Sequence, residues 1–327
     1  DPTKTRQTSA IASGTLPSGK PVVVNADGTV SVVSTTTISE VIGSATTYET
    51  GSTDNVAATY DSVNNKVIIA YRDQGNSFYG TAIVGTVSGT SISFGTPQVF
   101  RGNNCQRMAI TFDVNAGKCV IAYRNATDQK GEAVVGTVSG TSITFGSTVI
   151  FNTGDTDNSI AAVYDPDTQQ VVIAYRDQGN SSYATAVVGS ISGTSISFGS
   201  EVVIDSANTT YVSLAYDTTN NKVVVIYAPL KTSPNCWQCW SKVGTVSGNS
   251  ISFGSGVRLD TDNTGGYDTA FQQVVFDPVA DKIVAIYRGT NQYGQARVGY
   301  VNGTYMVFQS LTNWTTDVPS YVSAYYD

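Results

Sequence analysis

The chain has 327 residues, of which 40% are apolar and only 13% charged, with a formal net charge of −7 and no histidine. This composition allows a large core, but a weakly acidic surface argues against nucleic-acid binding, and the lack of histidine removes the commonest general base and metal ligand. No stretch approaches the roughly 20 apolar residues of a membrane helix, so no membrane insertion is predicted.

The N-terminal part predicts an arm followed by three short strands. Residues 1–20 precede the first apolar run and carry three basic side chains. We interpret them as an arm that contacts a partner subunit. Strand-like runs follow at 21–25, 29–34 and 37–43, with a turn between the first two.

From about residue 55 the chain repeats a unit of about 50 residues, marked by three motifs. Tyrosines recur at steps of 52, 52, 52 and 60 residues, at Tyr71, Tyr123, Tyr175, Tyr227 and Tyr287. The run VGTVSGTSISFG begins at residue 84 and returns, with small changes, at 135, 188, 243 and 298. An aromatic residue followed by aspartate closes one strand-like run in every unit. Repetition at this period is typical of solenoids and propellers.

Each unit contains four strand-like runs, which in the third unit are 160–165, 171–176, 183–190 and 196–204. The second run is apolar on both faces, as expected of a sheet packed between two neighbouring sheets. The first run carries small residues, as expected of an inner strand crowded around an axis. These features predict an all-β fold, a β-propeller built from four-stranded antiparallel blades.

The blade count that we predict is six, with one composite blade. Five complete units lie at about 55–100, 107–151, 159–204, 211–259 and 271–311. A sixth first strand, 321–327, ends the sequence, and residues 21–43 supply three strands without a first one. Pairing these two segments closes the ring and removes its open edges. The predicted domains are therefore the arm, 1–20, and one propeller, 21–327.

The repeats and the N-terminal segment GTLPSGKPVVVNADGTVSVV resemble those of virion and tail-fibre-like proteins of tailed bacteriophages, especially marine and cyanobacterial ones. The resemblance covers nearly the whole chain. It implies a non-catalytic structural or display protein on the phage particle, as a tail fibre, capsid appendage or decoration. It also implies contact with other virion subunits, through residues 1–20, and with the host surface.

Four arginines end equivalent second strands and should form a partial ring at one end of the blades: Arg72, Arg124, Arg176 and Arg288. Strand register places Arg72 beside Asp54 and Arg176 near Asp157, which predicts structural ion pairs. A sialidase-like or glycosidase site is the competing interpretation. It requires a pair of convergent carboxylates, and glutamate is scarce in this chain. We therefore predict no catalytic residue and no enzymatic activity.

The fourth unit carries a longer loop, APLKTSPNCWQCWS, after its second strand. Trp237 and Trp240 in this loop are candidates for ligand recognition, or alternatively for covering the channel mouth or packing on a neighbouring blade. Tyr79, Tyr183 and Tyr293 follow the equivalent loops and extend the candidate surface. Such a surface would suit an extracellular lectin-like propeller that binds glycans, which is the alternative to the phage role.

The same loop contains Cys236 and Cys239. A local disulfide and two free thiols both fit this spacing. Without histidine or a second cysteine pair, a zinc site is not expected, and the sequence predicts neither a metal nor a cofactor.

Overall fold

The computed structural model describes residues 12, 15, 22–24, 29–32, 42–232, 235–260, 268–289, 291–319 and 323–324. The chain divides into two compact units, residues 1–44 and 45–327. The predicted arm, residues 1–20, lies outside the described residues apart from residues 12 and 15, so the division into an arm and one propeller, 21–327, stays a prediction. Among the described residues, no helix has the length and apolarity of a membrane span.

In the first unit, β1 (Val22–Val24) and β2 (Val30–Val32) form an antiparallel pair. They lie within two of the three runs predicted there. The third run, 37–43, lies almost entirely outside the described residues, as does most of the C-terminal strand, 321–327. The composite blade and the count of six therefore remain predictions.

The second unit is built from antiparallel strands that form five blades in the described ranges. The first two blades contain β3 (Thr53–Asp61), β4 (Lys66–Asp73), β5 (Tyr79–Ser88), β6 (Ser91–Phe94), β7 (Gln98–Asp113), β8 (Lys118–Asn125), β9 (Gly131–Ser139), β10 (Ser142–Phe145) and β11 (Val149–Asn152). The third contains β12 (Thr156–Asp165), β13 (Gln170–Asp177), a single 3-10 turn (Gln178–Asn180), β14 (Tyr183–Ser192) and β15 (Ser195–Phe198).

The last two blades contain β16 (Val202–Asp217), β17 (Lys222–Thr232), β18 (Asn235–Trp237), β19 (Trp240–Ser247), β20 (Ser250–Phe253), β21 (Val257–Arg258), β22 (Ala270–Asp277), β23 (Lys282–Arg288), β24 (Gly294–Asn302), β25 (Tyr305–Phe308) and β26 (Thr312–Thr315). In every blade the third strand pairs with two successive short segments, so the outer strand is broken in the middle. In the first blade, for example, β5 pairs with β6 and then with the start of β7.

The junctions between blades are shorter than the sequence suggested. Both β7 and β16 begin as the outer strand of one blade and continue without a break as the first strand of the next. The fourth and fifth blades are joined by residues 259–269, of which 261–267 lie outside the described residues. The first strands of the five blades lie side by side, so the blades share a common axis.

The aspartate of the aromatic-aspartate motif stabilises the turn that follows it. In the first blade the Asp61 carboxylate accepts hydrogen bonds from the backbone amides of Val63 (3.0 Å) and Asn64 (2.9 Å). The same pair of bonds recurs at Asp113, Asp165, Asp217 and Asp277. This aspartate satisfies the amides of the turn between the first and second strands, which is why it returns in each unit.

The core lies between neighbouring blades rather than within one. The five repeated tyrosines are all fully buried. Tyr227 of the fourth blade donates to Asp205 Oδ2 of the third blade (3.2 Å), and Tyr287 donates to the backbone oxygen of Leu259 (3.3 Å). Burial raises the pKa of both hydroxyls, so they remain donors. The apolar second strands pack on both faces, as the sequence predicts.

The glycine that ends each VSGTSISFG run is fixed by the next blade. A Cβ atom on Gly199 would lie 1.7 Å from the backbone oxygen of Asn249, and one on Gly146 would lie 1.8 Å from that of Thr194. Gly95 and Gly254 meet the equivalent carbonyl groups in the same way. Neighbouring blades therefore touch backbone to backbone at this point.

We expect Gly199→Ala to lower the free energy of unfolding by about 1–3 kcal/mol, because a methyl group has no space between two main chains. The matched control is Gly102→Ala, since a Cβ atom there meets nothing closer than 4.0 Å. Urea unfolding of both variants measures the difference. Equal stabilities for the two variants would contradict the close interblade contact.

Candidate functional site

The four repeated arginines lie at the same end of their blades but have different partners. Arg72 Nε donates to Asp54 Oδ1 at 2.5 Å, and its Nη2 also contacts this carboxylate. Arg72 Nη1 reaches Asn104 Oδ1 at 3.4 Å, at the last residue of β7 that pairs within the first blade. This arginine joins the first and second strands of its blade to the point where β7 passes into the second blade.

Arg124 and Arg176 use other groups at the equivalent places. Arg124 donates to Asp155 Oδ1 at 3.0 Å and to Gln106 Oε1 at 3.0 Å, so glutamine stands where the first blade has Asp54. Arg176 donates to Gln178 Oε1 at 3.2 Å and to Asn208 Oδ1 at 3.3 Å. Both arginines reach the chain that leads into the following blade.

Asp157, which the sequence placed near Arg176, lies 3.5 Å from Arg107 Nε of the second blade. Arg107 was not singled out by the sequence, because its position in the unit is occupied by uncharged residues elsewhere.

Arg288 differs from the other three because it borders an open cleft. Its guanidinium carbon lies 5.0 Å above the Phe271 ring, and its Nε has no hydrogen-bond partner among the described residues. The fourth blade contributes no arginine here, since Ala228 occupies the equivalent position. The junction between the fourth and fifth blades therefore differs from the earlier ones.

A cleft of about 270 Å³ lies at this junction. It is lined by Thr210, Tyr211, Trp237, Asp268, Thr269, Ala270 and Arg288. The lining combines one half-buried indole, one guanidinium and one exposed carboxylate with hydroxyl groups. The two charges are opposite, so the cleft carries no net charge from these side chains.

Trp237 reaches the cleft because the fourth blade extends its second strand into a hairpin. Strand β18 pairs with the end of β17, with Leu230 opposite Trp237. The backbone amide of Trp237 donates to Asp268 Oδ1 at 2.9 Å, and its carbonyl accepts from the amide and hydroxyl of Thr269, both at 3.1 Å. The hairpin is thereby fastened to the chain that enters the fifth blade.

Trp240 has a different environment from Trp237. It packs against the core between the third and fourth blades, and its ring is covered by Lys231 Nζ at 5.2 Å from the ring centre. Its Nε1 donates to Gln238 Oε1 at 3.2 Å. Trp237 thus lines a cleft, whereas Trp240 packs against the core.

The three candidate tyrosines do not join this cleft. Tyr79 and Tyr183 begin the third strands of the first and third blades, and Tyr293 precedes that of the fifth. All three are half-buried, and none is among the side chains that line the cleft.

All four cysteines are free, so no disulfide joins Cys236 to Cys239. Both side chains are buried. Burial raises the pKa of both thiols, most strongly for Cys239. A protonated thiol is a poor nucleophile and metal ligand, so these groups act as small apolar side chains.

Glu132 is one of the few glutamates in the chain. It is 2% exposed, and its Oε1 lies 2.9 Å from Arg101 Nη2 and 3.1 Å from Asn125 Nδ2. This environment is that of an interior ion pair.

The sequence did not identify Asp268 or Thr269 as site residues. They belong to the long junction at 259–269, which has no counterpart in the other units and no motif. Its extra length, visible as the 60-residue step between Tyr227 and Tyr287, is the signal that could have located them.

No protein-family model and no curated protein matches this chain. Among solved structures, it is similar to a variant of AofleA from Arthrobotrys oligospora, with 11% identity over 81% of this chain and 73% of that one, and a TM-score of 0.51. The SapL1 lectin in complex with alpha methyl fucoside shows 12% identity over 83% of each chain, with a TM-score of 0.49. TolB from Acinetobacter baumannii shows 12% identity over 80% of this chain and 55% of that one, with a TM-score of 0.43. The likeness to AofleA is one of fold, and it supports a propeller-type arrangement of the blades.

The Arg72–Asp54 ion pair predicts a pH-dependent contribution to stability. Hydrogen bonds from Arg72 hold the pKa of Asp54 below its usual value. A carboxyl group with a lowered folded-state pKa stabilises the fold above its unfolded-state pKa, near 3.9, and loses that contribution as the pH falls through the lowered value. We expect Asp54→Asn to cost up to about 1 kcal/mol at pH 7 and nothing below the lowered pKa.

Unfolding at several pH values, with Asp281→Asn as the control, measures this effect. Asp281 is exposed and forms no ion pair among the described residues. A destabilisation by Asp54→Asn that stays constant from pH 7 to pH 2 would show that Asp54 acts through its shape and not its charge.

Proposed function

We propose that the chain is a non-catalytic, carbohydrate-binding β-propeller whose sugar site is the cleft between the fourth and fifth blades. The observation that carries this proposal is the cleft itself. Trp237, Arg288 and Asp268 line the same 270 Å³ space, and Arg288 Nε is buried without a hydrogen-bond partner among the described residues.

Each of these groups has a part in holding a sugar. An indole ring offers a large, rigid apolar face to the C–H groups of a pyranose, and its two torsion angles make ordering inexpensive in entropy. Arg288 supplies donors in a fixed planar arrangement, and Asp268 Oδ2 supplies an acceptor, because Oδ1 is occupied by the Trp237 amide. The hydroxyl groups of a sugar are both donors and acceptors and match this mixed set.

The rigidity of the cleft also favours recognition. The hairpin that carries Trp237 is held at both its amide and its carbonyl by the chain entering the fifth blade. The indole is therefore positioned before a ligand arrives, which reduces the entropy lost on binding.

Binding fits the cleft better than hydrolysis does. Glycoside hydrolysis uses two carboxyl groups about 5–10 Å apart. Asp268 is the single carboxylate among the described side chains that line the cleft, and one of its oxygens holds a backbone amide. The buried Glu132 is already paired with Arg101.

The fold relative draws attention to the repeated arginines. In the AofleA variant three regularly spaced arginines are replaced by alanine. In this chain Arg72, Arg124 and Arg176 recur at the blade period, but Arg288 is the arginine that borders a cleft together with a tryptophan.

We expect Trp237→Ala to weaken glycan binding at least tenfold, about 1.4 kcal/mol, because the stacking face is lost. A glycan array identifies the ligand, and isothermal titration calorimetry measures the affinity. Trp314→Ala is the matched control, since Trp314 is also half-exposed but lies on the far strand of the fifth blade. Unchanged affinity in Trp237→Ala would refute the cleft as the sugar site.

The phage assignment remains a second proposal, carried by the repeat resemblance. A glycan-binding propeller on a virion would serve host attachment, so the two proposals are compatible. The arm, residues 1–20, and its contact with virion subunits lie outside the described residues, apart from residues 12 and 15. Mass spectrometry of purified particles, with the protein present at fixed copy number, tests this role, and its absence from particles would contradict it.

A further inference from the structure

A second cavity, of about 420 Å³, opens where the first strands converge. Each of the five described blades contributes one residue from the same position of its first strand, namely Asn55, Arg107, Ser159, Tyr211 and Phe271. We call this ring the axial mouth. A volume of this size lies within the range of small-molecule sites, roughly 300–1,000 Å³.

The backbone at the axial mouth is strained in a repeated way. Asn55, Arg107, Tyr211 and Phe271 have φ angles of 49°, 54°, 49° and 57°, in the left-handed region. Register shifts in the pairing of the first and second strands fall at the same places. Asparagine tolerates this conformation, whereas arginine, tyrosine and phenylalanine rarely adopt it. Strain of this kind accumulates at ligand sites, because the fold must hold a side chain where it would not otherwise lie.

Hydrogen bonds across blades hold the mouth in place. The Arg107 amide donates to Asn55 Oδ1 at 2.9 Å, which joins the first two blades. The Val212 amide donates to Ser159 Oγ at 2.5 Å, which joins the third and fourth. The axial mouth is therefore formed by hydrogen-bonded strands of several blades and not by a single loop.

The side chains that line the axial mouth are aromatic on one side, and the one charged group among them is paired with an opposite charge. The Tyr211 and Phe271 rings lie 5.3 Å apart at an angle of 56°. Arg107 is the only charged side chain in the described lining, and Asp157 lies 3.5 Å from its Nε. A neutral ligand with an apolar face suits this lining better than an anion does.

The fifth blade places two amides where the repeat has apolar or small residues. Gln272 stands at the position of Val56, Met108, Ile160 and Val212, and Gln273 stands at the position of Ala57, Ala109, Ala161 and Ser213. Both glutamines line the cavity. Gln272 is 2% exposed, and its Oε1 has no hydrogen-bond partner among the described residues. A buried acceptor without a partner costs stability unless a ligand or water supplies a donor.

We propose that the axial mouth is a second carbohydrate site, which takes one neutral sugar ring. The apolar face of the ring packs on Tyr211 and Phe271, and a sugar hydroxyl donates to Gln272 Oε1. Tyr211 borders both cavities, and Gln272 Nε2 donates to Thr269 Oγ1 of the cleft at 3.5 Å. Trp237 and Arg288 line the cleft and not the mouth, whereas Gln273 and Arg107 line the mouth and not the cleft. The mouth is therefore a separate site and does not depend on the cleft binding sugar.

The test uses Gln272→Val together with Gln273→Ala, which restores residues present in other blades and so suits the fold. The probes are uncharged methyl glycosides of common monosaccharides, measured by saturation-transfer NMR and calorimetry. We expect the double variant to lose at least tenfold in affinity at one site. We also expect the Tm of the protein without sugar to rise, because an unpaired buried oxygen is removed. A lower Tm would show that the glutamines are structural and would overturn the proposal.

The Trp237→Ala variant separates this site from the cleft. It should retain the binding that the double variant loses. If the double variant binds every probe as the parent protein does, or if no probe binds the Trp237→Ala variant, the axial site is refuted whatever the cleft does. Preferential binding of glucuronate that disappears in Arg107→Gln would overturn the neutral ligand class.

Discussion

The contact on which the rest of the structure depends is the approach of one blade's main chain to the next at Gly95, Gly146, Gly199 and Gly254. At each of these glycines the carbonyl group of the neighbouring hairpin turn lies where a side chain would begin. Because two backbones meet without intervening side chains, the distance between blades has a fixed lower limit. The tyrosines and branched aliphatic residues then fill the remaining space between the sheets.

A frame fixed in this way allows the ends of the strands to differ. Residues with a structural role are the same in all five described blades, as the turn aspartates and the buried tyrosines show. The position next to the axis carries asparagine, arginine, serine, tyrosine and phenylalanine in successive blades. The fourth blade extends β17 into the hairpin that carries Trp237 without disturbing the pairing of β17 with β19. Both candidate sites are formed by residues that differ from one blade to the next.

The repeat made most of the fold predictable. The apolar second strands, the turn aspartates and the four-strand blade could be read from VVIAYR-type runs and their spacing, because one pattern had five copies to support it. The continuous strands β7 and β16 could not be predicted in this way, because the polar residues around Asn104 and Asn208 resemble a loop in sequence. Those asparagines are strand residues because they pair with Tyr79 and Tyr183 across the blade.

The candidate sites were predictable only in part, for a related reason. Trp237 stood out because the loop that carries it broke the repeat. The partners of the repeated arginines depend on side-chain geometry: Asp54 faces Arg72 through strand register, but Asp157 lies beside Arg107 instead.

Gln309, in the fifth blade, occupies the position at which the first four blades have the interblade glycine. Its backbone amide donates to the carbonyl oxygen of Val298, which is the equivalent of the bond made by each interblade glycine. Gln309, however, carries a side chain. A carbonyl group therefore cannot approach Gln309 as closely as one approaches the glycines of the earlier blades.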